Sequence, residues 1–333
     1  MKRTMMAANL HGVGDLRYEE VPVPECRDDE VMLDVKYCGI CGSDVGRVLT
    51  RGTYHFPTIP GHEFAGVISY DPEGRWEGRH ATVFPLIPCG ECDMCQEGYY
   101  ELCRHYDYYG SRRDGGYAQK IAVKRWNVVL LDDAVPLEQA ALSEPMAVAH
   151  HAISRLDIKA GETILISGAG PIGLLAAQWA ACCGAGKAYF FDIDAKKIDY
   201  AKTLGFYEYT DDIQTDVVLE GTGNGQALGR CLRAIKPRGR MVLMGNPGRD
   251  VPLSQNDYWQ ILRKELTVYG TWNSAYKGTT DDWTAVVGAL KDHKIHPDLV
   301  TSHIIPLSDV NRAFSLLTDK NTFTNRIVLK IDE

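Results

Sequence analysis

In the segment VMLDVKYC, Val31, Leu33, Val35 and Tyr37 alternate with more polar neighbours, the period of two that a half-buried β-strand requires. Up to about residue 130 the chain keeps this character, with short β-like runs broken by glycine and proline. The rhythm changes at Pro136. PLEQAALSEPMAVAHHAISRL places Met146, Ala149, Ile153 and Leu156 on one helical face, and Pro145 is expected as the first helical residue, where its missing N–H is no loss. Beyond it, the apolar runs TILISG, AYFFDID, TDVVLEG, GRMVLMG and LTVYGTW are separated by helical or turn-rich segments. That alternation implies a parallel sheet with helices on its faces. One link is short: four residues separate YEYT at 207–210 from TDVVLE at 215–220, too few for a crossover helix, so the third strand is expected to be trimmed or displaced. After residue 273 a helix-strand-helix-strand tail ends in NRIVLKI.

At 333 residues the chain exceeds what one core normally supports, so two domains are expected. With 45% hydrophobic and 24% charged residues it has the composition of a soluble globular protein. A net charge of -8 argues against a nucleic-acid or anionic-membrane surface, both of which need a basic field; local arginines leave small anionic substrates open. The N-terminal stretch has two basic residues but no apolar run after them, unlike a signal peptide. The 24 uncharged residues between Glu162 and Lys187 are long enough to span a bilayer, yet their glycines and proline after a β-branched run read as strand, turn and helix. A cytoplasmic protein is expected, where its ten cysteines point to metal or structural use rather than disulfides.

Three motifs carry chemistry. Cys89, Cys92, Cys95 and Cys103 form Cys-x2-Cys-x2-Cys-x7-Cys, short spacings that let one loop present four thiolates to zinc. A ferredoxin-type iron–sulfur run would have a three-residue last gap followed by proline; here the gap is seven and Arg104 follows. Four filled positions leave none for substrate, so this zinc is structural. Second, CGICGSD at 38–44 and GHEFAG at 61–66 offer Cys41, His62 and Glu63, a thiolate, an imidazole and a carboxylate that would leave one position of a catalytic zinc open. Such a pair of Cys and His is weak evidence alone, and Cys38 reads as an ordinary core residue. Third, Gly168-x-Gly170-x-x-Gly173 follows TILIS and opens an apolar helix through Pro171 and Ile172, while Asp192 ends the next strand. The glycines allow the tight turn, the approach of a pyrophosphate to backbone N–H groups and close helix–strand packing, and the acid accepts from an adenine-ribose diol. Glu220 and Gly245 lie at further strand ends, where cofactor contacts are expected.

Taken in order, CGICGSD, GHEFAG, the four-cysteine loop, SEPMAVAHHA, SGAGPIG and ILRKELTVYGTW resemble the zinc-dependent medium-chain dehydrogenase family over essentially the whole chain. Within it, Glu144 in SEP, YYGSRRDGGYAQ, VKRWNV and LRKELTV are most similar to the branch acting on polyols and polyol phosphates such as galactitol 1-phosphate. The resemblance implies a mainly β, GroES-like catalytic domain of residues 1–145 and 273–333 around an inserted doubly wound Rossmann domain of 146–272, with the active site in the cleft. It implies NAD and two zinc ions per chain, and a homodimer or homotetramer built on the ELTVYGTW strand. Cys41 and His62 would hold the catalytic zinc, either Glu63 or Glu144 would complete its shell, and Ser43 would accept the substrate proton. Two departures stand out. Gly46 occupies the position of a relay histidine in many relatives, and the loop after GHEFAGVI is shortened, with Gly78, Arg79 and His80 in place of a glycine–aspartate pair. Arg112 and Arg113 in GSRRDGG are candidate phosphate ligands in an otherwise acidic chain. Asp192 with Ile193 after it implies NAD over NADP. Oxidation of a free polyol is the alternative, and an NAD-binding zinc protein without turnover a more distant one.

Overall fold

The strand Glu30–Gly39 carries partners on both sides and is the hub of a seven-stranded sheet. The computed structural model describes residues 3–331 and divides into two compact units, one made of the residues up to Pro145 and from Ala275 on, the other of Met146–Ser274. Asn273 and Ser274 thus fall with the second unit.

In the first unit the sheet runs Thr301–Pro306, Arg326–Lys330, Glu30–Gly39, Glu63–Tyr70, His80–Val83, Val128–Leu130, with Lys120–Lys124 also on Glu30–Gly39. Val31, Leu33, Val35, Phe64, Ile68, Ile327 and Leu329 are buried together with Tyr117 and Phe314. Val31, Leu33 and Val35 of VMLDVKYC are buried as the alternation implies, Met32 between them is buried too, and the alternation ends at Val35. There the register against Glu63–Tyr70 shifts, between Val35 and Tyr37, so Tyr37 is half-buried and Cys38 is enclosed in the core. Such an irregularity bends a strand end and re-aims the side chains beyond it. Three segments meet at that end: Gly39 is paired with Glu63 on one side and Val328 on the other, and Arg326 donates to the Ile40 carbonyl at 2.7 Å. Cys41, the His62–Glu63 pair and Arg326 are brought together by sheet register, although 263 residues separate Glu63 from Arg326.

The shortened loop folds around one side chain. The Asp71 carboxylate accepts from the backbone N–H of Glu73, Arg75 and Trp76 and pairs with Arg125, whose guanidinium lies 4.2 Å from the Trp76 ring centroid. A buried carboxylate satisfied by several donors can set a loop that has no regular structure of its own.

The second unit is a six-stranded parallel sheet in the order Tyr207–Glu208, Lys187–Phe191, Thr163–Ser167, Thr215–Glu220, Ile235–Leu243, Thr267–Gly270, the doubly wound arrangement with its switch point between Thr163–Ser167 and Thr215–Glu220. The third strand is trimmed to two residues, and residues 209–214 carry the chain across without a helix. Helices Pro171–Cys182, Ala195–Thr203, Gly225–Ala234 and Gln255–Arg263 complete the windings. Thr267–Gly270 lies at the sheet edge, with Val268 39% and Trp272 49% exposed near it. A short helix, Leu137–Ala140, follows Pro136, and the longer one begins at Ser143, two residues before the proline expected to open it. No helix among the described residues is long and apolar enough to cross a membrane.

Candidate active site

Cys41 ends the turn after Glu30–Gly39 and caps the short helix Gly42–Gly46; His62 and Glu63 open the strand Glu63–Tyr70. One ligand atom from each of Cys41, His62 and Glu63 lies within 4.8 Å of the others. Glu144 stands outside that trio, fully enclosed, 3.5 Å from the Tyr108 hydroxyl. Of the two carboxylates left open by sequence, Glu63 is therefore the one grouped with Cys41 and His62.

The chemistry of the pocket fits a divalent cation. Arg326 stands 3.1 Å from Glu63 without hydrogen-bond alignment, so both buried Glu63 oxygens lack a hydrogen-bond donor. Burial pushes the Glu63 carboxyl up to about 8, against the pull of Arg326, and lifts Glu144 to about 7 against His62 and Arg326. Burial also works against ionisation of the Cys41 thiol, but His62 and Arg326 outweigh it and bring it down to about 7. Anionic donors crowded out of water are the environment that a metal ion relieves.

Four further residues complete this site and were not singled out from sequence. Asp44 is fully buried, facing His62 Nδ1 at 3.4 Å and accepting from Cys41 N at 3.2 Å, Arg47 Nη1 at 2.9 Å and Tyr117 Oη at 3.1 Å. Burial opposes its charge, yet His62, Arg47 and the Cys41 amide hold its carboxyl down to about 2. A carboxylate behind a histidine fixes ring and tautomer for metal binding through the other nitrogen. Arg47 also donates to Ser43 Oγ at 2.8 Å. Tyr108 sets its ring edge-on to His62, centroids 5.7 Å apart. Arg326 is the fourth. Asp44 adjoins Ser43 in the CGICGSD motif, so the motif held its signal; Arg326 is marked only as a charge heading an apolar strand.

The four-cysteine loop is a closed site. Cys89, Cys92, Cys95 and Cys103 each place a sulfur within 4.8 Å of the rest, none is in a disulfide, and the Cys89–Cys95 and Cys92–Cys103 sulfurs are both 3.9 Å apart. A tetrahedron with Zn–S bonds of about 2.3 Å has edges of about 3.8 Å. Backbone N–H groups of Arg104 and Cys95 bring the Cys92 thiol down to about 6, whereas burial pushes Cys95 up to about 12; a metal ion would draw all four to the thiolate.

In the second unit Gly168 follows Thr163–Ser167 with φ 98°, a conformation open to glycine. A Cβ on Gly173 would stand 2.1 Å from the Gly168 carbonyl oxygen, whereas nothing lies within 4 Å of a Cβ on Gly170. Gly173 thus permits close packing, and Gly170 leaves open backbone before the helix that Pro171 and Ile172 begin. Asp192 Oδ2 accepts from Ala169 N at 2.8 Å and Oδ1 from Asp194 N at 2.9 Å, so this carboxylate is fixed beside the glycine loop. Glu220 is spent on its own turn, accepting from Thr222 and Gly223, and a Cβ on Gly245 would stand 2.0 Å from Gly223 N.

The adjacent Arg112 and Arg113 are parted. Arg113 donates to Asp107 at 2.7 Å and lines a groove of about 530 Å³ with Asn9, Arg27, Tyr109 and Lys120, a lining that includes none of the candidate metal ligands. Arg112 instead lies between the rings of Tyr54 and Tyr106, 4.3 and 4.5 Å from their centroids, and Tyr106 touches Tyr108. Of the pair, Arg112 is the one on the side of the Cys41 site.

Residues 27–133 match the alcohol dehydrogenase GroES-like domain and residues 171–292 the zinc-binding dehydrogenase domain. The chain is 33% identical over 310 residues to galactitol 1-phosphate 5-dehydrogenase of Escherichia coli K12, covering 87% of this chain and 90% of that one. It is 32% identical over 300 residues to sorbitol dehydrogenase of Bacillus subtilis, covering 82% and 83%. The crystal structure of galactitol-1-phosphate dehydrogenase from Escherichia coli superposes with a TM-score of 0.90 at 30% identity over 98% of this chain and 100% of that one. A zinc-binding dehydrogenase from Sinorhizobium meliloti bound to NADP gives 0.90 at 27% over 99% and 100%, and an alcohol dehydrogenase from Escherichia coli CFT073 complexed with NADH gives 0.89 at 25% over 98% and 99%.

Proposed function

Since the chain belongs to the zinc-dependent alcohol dehydrogenase family, with zinc and NAD as its cofactors, we propose that it oxidises a secondary hydroxyl of a polyol phosphate such as galactitol 1-phosphate to the keto sugar phosphate, and the reverse. The observation that carries the phosphorylated substrate is Arg112, a guanidinium caged by Tyr54 and Tyr106 and linked to His62 through the rings of Tyr106 and Tyr108, in a chain of net charge -8. Guanidinium groups bind phosphate by paired, charge-assisted hydrogen bonds. Arg113, committed to Asp107, contributes less in this reading.

Zinc supplies a Lewis acid that lowers the pKa of the substrate hydroxyl, and NAD accepts the hydride. Cys41, His62 and Glu63 would hold the metal in this reading, with Glu144 as a second carboxylate that feels the charges of His62 and Glu63. Asp44 keeps His62 in its binding tautomer. Ser43 takes the hydroxyl proton; because its Oγ already accepts from Arg47, the hydroxyl is held in one orientation. With glycine at position 46, the proton leaves by a route other than a side chain at that position. Cys89, Cys92, Cys95 and Cys103 hold the second zinc. Gly168, Gly170, Pro171, Ile172 and Gly173 seat the pyrophosphate, Asp192 the ribose diol, and Gly245 lies at a neighbouring strand end. Residues 1–145 and 273–333 serve as the catalytic domain and 146–272 as the nucleotide domain. A cytoplasmic homodimer or homotetramer joined along Thr267–Gly270 accounts for the exposed Val268 and Trp272.

The test is catalytic efficiency on galactitol 1-phosphate, a second hexitol phosphate and the free hexitols, each with NAD and NADP. We expect a preference for phosphorylated substrates of about tenfold or more, the effect of one charged hydrogen bond. Equal or better turnover of free hexitols returns the general polyol reading, which fits the sorbitol-dehydrogenase relative; no zinc-dependent turnover of any substrate returns the non-catalytic one.

A further inference from the structure

Gly46 lies one turn beyond Ser43, and the place its side chain would take is filled. A Cβ there would stand 2.4 Å from Arg51 Nη2 and 2.9 Å from Arg51 Cζ. Arg51 therefore folds back over Gly46 instead of extending past the end of its own helical segment, Arg47–Arg51, where it would face the terminal carbonyls. It is exposed and makes no ion pair or hydrogen bond through its side chain among the described residues. Arg47, on the same segment, uses Nη1 for Ser43 and Asp44, and its side chain keeps 22% of its surface in solvent. The carboxylate paired with Arg47, Asp44, is wholly buried and also faces His62. One turn beyond the Ser43 hydroxyl there is thus an arginine, Arg51, whose charge has no partner among the described residues.

A guanidinium stays protonated at any working pH, so Arg51 cannot carry a proton away from Ser43. A fixed charge in that place suits an anion. We propose that Arg51 and the free edge of Arg47 form an anion subsite that takes the phosphate of a phosphate monoester substrate, an inference that rests on the polyol-phosphate reading and gives it a location. A helical turn advances about 5.4 Å, comparable to the reach of four carbons, so a substrate whose reacting hydroxyl sits at Ser43 and whose phosphate is four carbons away places that phosphate at Arg51. Arg112, held by Tyr54, whose hydroxyl accepts from its Nη2 at 3.3 Å, is the rival location for the phosphate.

The experiment compares native enzyme, Arg51→Gln, Arg51→Lys and Arg112→Ala in the zinc- and NAD-loaded state. One measurement is the efficiency ratio of galactitol 1-phosphate to galactitol. The other is binding of inorganic phosphate by titration calorimetry, with melting temperature and zinc content as checks on folding. We expect Arg51→Gln to lower the ratio by about ten- to hundredfold and to weaken inorganic phosphate in proportion, the loss of one charged contact, and Arg51→Lys to retain part of both. If Arg51→Gln keeps the native ratio and phosphate affinity while Arg112→Ala loses them, the subsite lies at Arg112: this inference is overturned and the polyol-phosphate reading stands. If the native enzyme neither prefers the phosphate ester nor binds inorganic phosphate, both are overturned.

Discussion

Replacing Asp44 by asparagine removes one charge and adds one amino group where nothing but donors face it. Oδ1 meets Arg47 Nη1 at 2.9 Å and His62 Nδ1 at 3.4 Å; Oδ2 meets Cys41 N at 3.2 Å and Tyr117 Oη at 3.1 Å. An asparagine can turn its NH2 to either side. The tyrosine hydroxyl can reverse and the imidazole can change tautomer, but Arg47 and the Cys41 amide can only donate. In either orientation one buried donor loses its partner. An unpaired buried donor costs about 1–3 kcal/mol and each lost charged bond about 1.5–3, so a net loss of about 3 kcal/mol is expected. At about 2–4 °C per kcal/mol for a domain of this size, the melting temperature should fall by roughly 6 to 12 °C. The imidazole, no longer held in one tautomer, should bind zinc about ten- to hundredfold more weakly. The assay is competition for zinc against a chromogenic chelator, with a melting curve alongside. Native zinc affinity and native melting temperature in Asp44→Asn would refute the reasoning.

Cys92→Ser should lower the melting temperature and release one of two zinc ions, because a structural metal contributes directly to folding; metal analysis that still finds two ions, with unchanged melting, contradicts the closed four-sulfur site. Asp192→Ser should raise the relative efficiency with NADP by about tenfold or more, since a charged partner to the ribose diol is worth about 1.5–3 kcal/mol, and equal use of both cofactors by the native enzyme would remove the premise. Asp71 has its carboxyl held below the ordinary value of 3.8: burial opposes its charge, and the Glu73, Trp76 and Arg75 amides with Arg125 outweigh it. A lowered folded-state pKa stabilises above the unfolded pKa and is lost as pH falls through the folded one. Asp71→Asn should therefore melt lower than native at neutral pH, with the gap closing as pH falls below 3.8; a gap independent of pH would show that the loss is one of shape alone.

What could be read in advance was what is written locally. The glycine triplet, Asp192 and the four cysteines carry their meaning in spacings within one turn or loop, and those spacings survive whatever the rest of the fold does. The short link after Tyr207 likewise foretold a trimmed strand. Cys41 and His62 were weaker, because a lone Cys and a lone His have no joint signature until a sheet sets Gly39 against Glu63. Arg326 was illegible for the same reason on a longer scale. The failure at Tyr37 is a register shift, which period-two reasoning assumes away. Pro145 misled by two residues because Ser143 and Glu144 already belong to the helix, and proline is tolerated throughout a first turn. Arg112 and Arg113 looked like one feature, yet neighbouring side chains in an irregular segment owe each other no common direction.

The arginine beside Glu63 also sets an order of events. Arg326 is 263 residues downstream of Glu63, and at about 5–20 residues per second roughly 13 to 53 s of synthesis separate them. Throughout that interval the whole Met146–Ser274 unit is being made, while Cys41, His62 and Glu63 wait without their counter-charge and without the strand Arg326–Lys330 that closes the sheet over them. A nascent chain arrested before Arg326 should then expose its thiol to alkylation at Cys41 and become protected when Arg326–Lys330 has emerged. In the reading proposed above, the Cys41 site is completed only once Arg326 has been made, after the whole Met146–Ser274 unit.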